Sequence, residues 1–489
     1  MAADGPWPGY TPRSVTETVL YQTVERYWPE FVERTQGMGT LPSFVHREFE
    51  AYLRCGRLEY GFARCLCERC GLEHRVPLSC KRRGWCPSCV GRRMNDTAIH
   101  LVDEVLPPVA MRQWVVTVPW ALKYRFGYDR QACALLCRAF VQALFGAMRH
   151  KAKAELGLAS VREAHPGAVT FVQRSDAALR LSPHLHVLSL DGVYVRDEAG
   201  KLVFHALSDP TEAEVERLAR AVVERLLRRL DLGEVGKEDD YIQEEPLLAH
   251  LYGAAASGTQ VLGPGLGRAV TRLVDTRGEP MPSQAQRPGG PVLAQYEGFG
   301  VYADRGFDGR DRQRLFGMCR YLTRPPLSQK RLTELSDGRL CYRLKRTFRD
   351  GTSAVVLSPW DLLARLAALV PPPRFHLVRY SGVLSSHSAL RAEVVPTAQP
   401  KVQLVLPLEA VAPKKPKRPR SAGRTSWAKL LARVFKVDVT VCPTCGGAMK
   451  IVEFVTDKDE VAQELGGTGM APRAPPRASS SQLELPMLG

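Results

Sequence analysis

The stretch Ser182-Pro183-His184-Leu185-His186-Val187-Leu188-Ser189-Leu190-Asp191-Gly192 decides the reading of this chain. Its aliphatic alternation predicts a strand from Pro183 to Leu190. Side chains alternate across a strand, so His184 and His186 share one face. Two imidazoles side by side begin a metal site. A His-x-His pair also arises by chance, with one ring in the core and the other in solvent. Its meaning therefore depends on what else the chain carries.

The 489 residues suffice for two or three domains and a sizeable core. Lys and Arg number 68 against 51 Asp and Glu, a net charge of +17, which favours a polyanionic partner. The sequence shows no run of about 18 apolar residues that would span a bilayer. Met1 to Pro6 lacks the basic-then-apolar pattern of a secretory signal. A cytoplasmic protein without a membrane partner is the expectation. Thiols stay reduced there, so clustered cysteines point to metal rather than disulfides.

Outward from the histidines, Trp114 to Val118 and Val169 to Gln173 read as further strands. Asp191-Gly192 reads as a hairpin turn into Val193-Tyr194-Val195. Asp129 is placed to cap a long helix that buries Leu135, Leu136, Phe140, Leu144 and Phe145, with Cys133 and Cys137 in its core face. Asp209-Pro210-Thr211-Glu212 reads as another helix start, with Asp209 as cap. The predicted organisation is a helical segment at 1–54, a zinc-binding domain at 55–106 and a mixed α/β domain, the candidate catalytic region, at 107–395. A Gly/Pro-rich, flexible insertion falls at about 253–300. A basic linker at 411–426, a zinc-knuckle-like unit at 427–466 and a disordered tail at 467–489 follow. Cys341 to Leu357 reads as a basic hairpin turning at Asp350-Gly351.

Seven cysteines fall between Cys55 and Cys89. The pairs Cys67/Cys70 and Cys86/Cys89, fifteen residues apart, have the spacing of a four-thiolate Zn²⁺ site. Cys55, Cys80, Cys65 and His74 are left to form a second site or to substitute in the first. Lys81-Arg82-Arg83-Gly84-Trp85 lies inside the cluster, and its charge and aromatic ring suit DNA contact. The pair Cys442/Cys445 supplies half a site, either the remnant of a former one or one completed by a distant residue or another subunit.

Strand transfer on DNA needs a nucleophile, an electrophilic metal and in-line geometry. His184 and His186 are candidates to hold Mg²⁺ or Mn²⁺, and a hard cation also wants oxygen, for which Asp191 and Gln173 are candidates. The nucleophile candidate is Tyr321, in Met318-Cys319-Arg320-Tyr321-Leu322-Thr323-Arg324-Pro325. Helical spacing sets it beside a buried stripe of Leu315, Met318 and Leu322, between Arg314 and Arg324. A phenol there can attack phosphorus and conserve the phosphodiester as a phosphotyrosine.

With those residues in view, the chain resembles the HUH-type rolling-circle transposases of bacterial insertion sequences (His-hydrophobic-His). The resemblance spans about residues 45–390. It rests on Cys80-Lys81-Arg82-Arg83-Gly84-Trp85-Cys86-Pro87-Ser88-Cys89, on Gly167 to Gln173, and on His184-Leu185-His186 with Asp191-Gly192-Val193-Tyr194. Tyr321-Leu322-Thr323-Arg324-Pro325 and Leu377 to Val383 complete it. Some relatives carry a second tyrosine four residues on; Pro325 stands there, which resembles the single-tyrosine branch. The resemblance implies an α+β fold, with an antiparallel-sheet nuclease core flanked by helices and a small cysteine-rich zinc domain before it. It also implies Zn²⁺ as structural metal and a divalent catalytic metal. Single-stranded DNA at the element's ends and target DNA are the implied partners, with a homo-oligomer as a way to supply a second tyrosine. Arg320 and Arg324 would steady phosphates. Trp85 would stack on bases, as would Trp114 and Trp120, although core packing is favoured for the last two. A replication-initiator nickase shares the chemistry. A zinc-dependent DNA-binding regulator with an inert nuclease half, or an RNA-binding protein, would need neither the histidines nor Tyr321.

Overall fold

A computed structural model of the chain describes residues 14–230, 244–274, 291–396 and 440–466. Its centre is an antiparallel sheet in the order Val378–Gly382, Gly167–Ser175, Leu181–Leu190, Ala110–Thr117, Phe299–Ala303, Val292–Tyr296. The histidine-bearing strand lies inside the sheet, with His184 opposite Thr117 and Gln173, and His186 opposite Val115 and Phe171.

Alternation divides the sheet into two faces. Trp114, Val116, Val172, Leu185 and Val187 point to one face and pack against the helices Arg130–Leu156 and Glu212–Leu227. Met111, Val169, Phe171, Leu188 and Leu190 point to the other, against Pro87–Glu104 and Arg312–Leu322. His184 and His186 belong to this second face by parity. The α+β core with flanking helices is therefore as expected.

Asp129 caps the long helix as its sequence predicts, accepting from the amides of Gln131 and Ala132 at 2.7 and 3.0 Å. Gly157 ends it in the left-handed conformation, φ 65°. This helix is long and apolar enough to cross a membrane by length and composition. Its apolar face is the one the sheet covers.

A second lobe joins the helices Val19–Thr35 and Ser43–Leu53 to Pro246–Ser257, Pro359–Leu369 and the hairpin Leu340–Arg343/Thr352–Leu357 in one core. Among the described residues, 14–54 therefore share a core with later parts of the chain.

Three local expectations are corrected. The strand Gly192–Arg196 leaves the central sheet and pairs with Leu202–Ala206, because Asp191 is tied to Arg112 rather than making a hairpin turn. The helix at 212 is capped by Thr211 with Glu214, while Asp209 reaches Arg112. The stretch 253–300 holds a helix end and, at the sheet edge, the hairpin Val292–Tyr296/Phe299–Ala303. Its turn is Glu297-Gly298, both at positive φ, a pair too short to stand out in a Gly/Pro-rich sequence. The linker 411–426, residues 427–439 and the tail 467–489 lie outside the described residues.

Candidate active site and metal centres

The helix Arg312–Leu322 lies over the histidine face of the sheet, burying Leu315, Cys319 and Leu322. Cys319, not Met318, completes the stripe. Tyr321 falls one position off it and stays 40 % exposed. Its ring stands edge-on to His186 with centroids 6.0 Å apart, and the rings of His184 and His186 are 5.0 Å apart. The Arg324 guanidinium caps the other side of the phenol at 4.3 Å from its centroid. Arg314 stacks instead on Phe307, and Arg320 on Phe316. The structure thus brings together His184 and His186 from the strand, Tyr321 from the helix and Arg324 from just beyond its end.

Both imidazoles are held from behind. His184 Nδ1 lies 2.7 Å from the carbonyl of Ser182, which fixes its proton there and leaves Nε2 as the lone pair. His186 Nδ1 meets the Gln113 side-chain amide at 3.0 Å. The same amide, rotated by half a turn, accepts an Nδ1 proton and frees Nε2 in the same way. Burial lowers the basicity of both rings. His186, also facing His184 and Arg324, is held at about 3, so both are neutral ligands near pH 7. Such a donor set, with outer partners on Nδ1, fits a divalent cation.

Gln173 stands next to His184 across the ladder, its amide nitrogen donating to the Leu322 carbonyl at 3.0 Å. It joins the histidine strand to the tyrosine helix and leaves its oxygen as a ligand. Asp191 is not at the site. It lies five residues beyond His186, about 17 Å along the strand, and accepts two bonds from Arg112 at 2.8 Å. A cleft beside the tyrosine helix is lined by Arg83, Gln173, Ser175, Arg324, Arg331 and Lys345. Its walls are strongly cationic, as a phosphodiester strand requires. Arg331 and Lys345 escaped the sequence reading; the basic character of the 341–357 hairpin hinted at Lys345 alone.

The cysteines form two clusters, but not with the Cys67/Cys70/Cys86/Cys89 grouping that the spacing suggested. Cys55, Cys80, Cys86 and Cys89 gather with all sulfurs within 4.8 Å. The Cys55–Cys89, Cys80–Cys89 and Cys55–Cys86 separations are 3.6, 3.3 and 3.7 Å. Four thiolates at about 2.3 Å from zinc lie about 3.8 Å apart, so the set fits the ion. Bonds from Cys55, Cys80 and Cys86 hold the Cys89 thiol far below the ordinary range. Cys67 and Cys70 do not join Cys86 and Cys89. They face Cys442 and Cys445, a second group within 4.8 Å. The fifteen-residue spacing was satisfied by sequence but not in space, because the strand Phe62–Cys67 carries its knuckle toward the chain's other end. Burial raises the Cys442 thiol, yet the amides of Cys445 and Thr444 and the thiols of Cys70 and Cys445 bring it down to about 6. The clue available in sequence was the shared Cys-x-x-Cys-Gly pattern.

The loop Lys81–Trp85 is clamped from within. Glu48, buried, accepts from the Gly84 amide at 2.9 Å, and a β-carbon at Gly84 would lie 2.7 Å from its carboxylate. Trp85 is fully buried between Phe49 and Tyr52, at ring distances of 4.9 and 4.6 Å, so it stacks on the core and not on bases. Lys81 and Arg83 are exposed and Arg82 partly so. Trp114 packs in the core as expected, whereas Trp120 is 65 % exposed, contrary to it.

Comparison with known proteins agrees with this layout. The family described as "Putative transposase" matches residues 167–391, which hold the histidine strand and the tyrosine helix. The family described as "Transposase zinc-binding domain" matches residues 23–118. The transposase for insertion sequence element IS801 of Pseudomonas savastanoi pv. phaseolicola is 25% identical over 448 residues, 90% of each chain. No solved structure matches the chain. Zinc-binding cysteines, DNA as partner and DNA processing as activity go with transposases of this kind, and the chain is similar to them in layout, with a transposase zinc-binding region preceding a transposase region.

Proposed function

We propose that the chain nicks a single DNA strand at the ends of its element by attack of Tyr321 and joins the released end to a target. The observation that carries this reading is the meeting of Tyr321 with the His184/His186 face under Arg324. Tyr321 Oη forms a bond to phosphorus, the bond from phosphorus to O3′ breaks, and the phenolic proton ends on the leaving side, giving a 5′-phosphotyrosine and a free 3′-OH. A later attack by a 3′-OH on the phosphotyrosine restores the phenol and rejoins DNA.

His184 and His186, with Gln173 as third ligand, would hold Mg²⁺ or Mn²⁺. That ion, when bound, supplies Lewis-acid polarisation of the scissile phosphate. Arg324 offers its charge where the phosphate must lie against Tyr321. The cationic cleft steers the strand between Arg83 and Lys345, and exposed Lys81, with Arg82 and Arg320, adds backbone contacts. Thiolates of Cys55, Cys80, Cys86 and Cys89 take the structural zinc, an assignment that replaces the one drawn from spacing. With Pro325 four residues on, each protomer has one nucleophile in this helix. A second strand transfer then reuses Tyr321 or draws on another copy.

The test is a denaturing gel of protein incubated with end-sequence single strands labelled on the 3′ side of the nick, with and without Mg²⁺ or Mn²⁺. A metal-dependent protein–DNA band that disappears in Tyr321→Phe and His184→Ala supports the reading. A covalent band persisting in Tyr321→Phe refutes it.

A further inference from the structure

The turns Cys67-Glu68-Arg69-Cys70-Gly71 and Cys442-Pro443-Thr444-Cys445-Gly446 are alike in sequence and in backbone. In each, the glycine amide donates to the carbonyl of the first cysteine at 2.9 Å. Each glycine is left-handed, φ 73° at Gly71 and 71° at Gly446. The turns face one another, with Cys67 Sγ 3.5 Å from Cys445 Sγ and Cys70 Sγ 3.6 Å from Cys442 Sγ. These separations are far beyond a disulfide bond of about 2.05 Å and close to the roughly 3.8 Å edge of a zinc tetrathiolate. The Gly447 amide points at Cys445 Sγ from 3.4 Å, and a β-carbon there would lie 3.1 Å from Cys67 Sγ.

Independent contacts hold the two chain segments together. The strand Met449–Val455 pairs antiparallel with Phe62–Cys67, from Phe62 opposite Val455 to Cys67 opposite Met449. Phe62, Val455, Val461 and Leu465 share a small buried core. Arg64 meets Glu453 and Arg75 meets Glu464, each at 2.9 Å. The cysteine quartet is therefore registered by a sheet and not by a chance approach of thiols.

We propose that Cys67, Cys70, Cys442 and Cys445 bind a second zinc ion, and that this ion fastens residues 440–466 onto the strand Phe62–Cys67. Half of its ligands lie outside residues 23–118, the span of the zinc-binding family match. Cys70 and Cys442 are 372 positions apart, so the module is finished by the far end of the chain. Four thiolates in a tetrahedron select Zn²⁺ among the common divalent ions, and each thiol gives its proton to solvent on binding. The site is independent of the strand-transfer reading.

Zinc per chain, measured by elemental mass spectrometry on the full-length protein, tests this. Two zinc ions are expected, and one in Cys442→Ser/Cys445→Ser with its circular dichroism otherwise retained. Hydrogen exchange should rise in peptides spanning 62–67 and 449–455 of that variant while the 181–190 strand keeps its protection. One zinc in the wild-type chain, or two in the double variant, overturns the proposal. If the variant does not fold, cobalt titration of the wild-type chain decides. Two equivalents of tetrathiolate absorption support the second site and a single equivalent refutes it.

Discussion

Replacing Gln113 by Leu probes how His186 is held for metal binding. The amide meets Nδ1 at 3.0 Å, and both residues are buried, His186 to 5 % exposure. Leucine fills much of the volume but leaves Nδ1 without a partner in a place water does not reach. A buried polar group so orphaned costs about 1–3 kcal/mol. Part of that cost is felt by the fold, as a fall of a few degrees in Tm. The rest is felt by the ligand, since a ring free to turn or to move its proton to Nε2 is a poorer donor. Outer-partner losses at metal sites weaken binding about 10–100-fold, which is about 1.4–2.8 kcal/mol and the same size as the orphaning cost. The assay is the initial nicking rate on an end-sequence oligonucleotide across a Mn²⁺ titration. The half-saturating Mn²⁺ concentration should rise about 10–100-fold, with the saturated rate changed only a few-fold. Gln113→Glu should recover tight binding, because a carboxylate accepts the Nδ1 proton. An unchanged half-saturating concentration in folded Gln113→Leu would show that His186 does not act through this geometry.

Tyr321→Phe keeps the ring beneath Arg324 and, at 40 % exposure, should alter stability by no more than about 0.5 kcal/mol while adduct formation is abolished; thermal melts beside the adduct gel separate the two effects. Arg324→Ala removes a charged contact worth about 1.5–3 kcal/mol, so single-turnover nicking should slow about 10–150-fold. Arg112→Leu strands the half-buried Asp191 carboxylate and should cost about 3–5 kcal/mol near neutral pH in urea unfolding. Burial already raises the Asp191 carboxyl above its ordinary 3.8, so the folded state binds more protons than the unfolded one in that window. Stability is lost as pH rises through it, and the cost of Arg112→Leu should therefore shrink toward pH 4. Gly192→Ala would drive a methyl group into the His205 carbonyl and the Phe204 ring, costing about 1–3 kcal/mol, and an unchanged unfolding midpoint would contradict the tight pairing of that ribbon.

Local signals carried far in this chain. Apolar runs and local alternation made strands legible at 114–118, 169–173 and 183–190, within or overlapping the observed 110–117, 167–175 and 181–190, and the shared side of His184 and His186 followed from parity alone. The place of Tyr321 beside a buried helical stripe was readable for the same reason, although Cys319 took the role assigned to Met318. What failed was nonlocal. Cys67 and Cys86 have ideal spacing, but spacing is blind to a strand that leads one knuckle to residues 442–445. Asp191 is near the histidines in sequence, yet a straight strand carries it away and Arg112 keeps it there. Trp85 reads as an exposed aromatic in a basic loop; only the aromatic residues of the second N-terminal helix, Phe49 and Tyr52, reveal that it is core. Gln113 gave no signal at all, since a polar residue on a buried strand has meaning only once its cross-strand neighbour is known.

One helix has duties at both of its ends. Pro87–Glu104 starts at Cys86, holds Cys89 in its first turn, and through Ala98, Leu101 and Val102 packs against Leu315, Cys319 and Leu322 of the tyrosine helix. Near its far end, Arg312 of that helix grips the carbonyls of Val102 and Leu106. Eighteen residues make a beam of about 27 Å. The tyrosine end of the helix Arg312–Leu322 turns back toward the beam's first half, where Thr323 reaches the Met94 carbonyl at 3.5 Å, so the cysteine-anchored loop and Arg324 border one cleft. Loss of metal from Cys55, Cys80, Cys86 and Cys89 would therefore loosen the start of the beam and, with it, the Arg93 and Thr97 wall that faces Arg324.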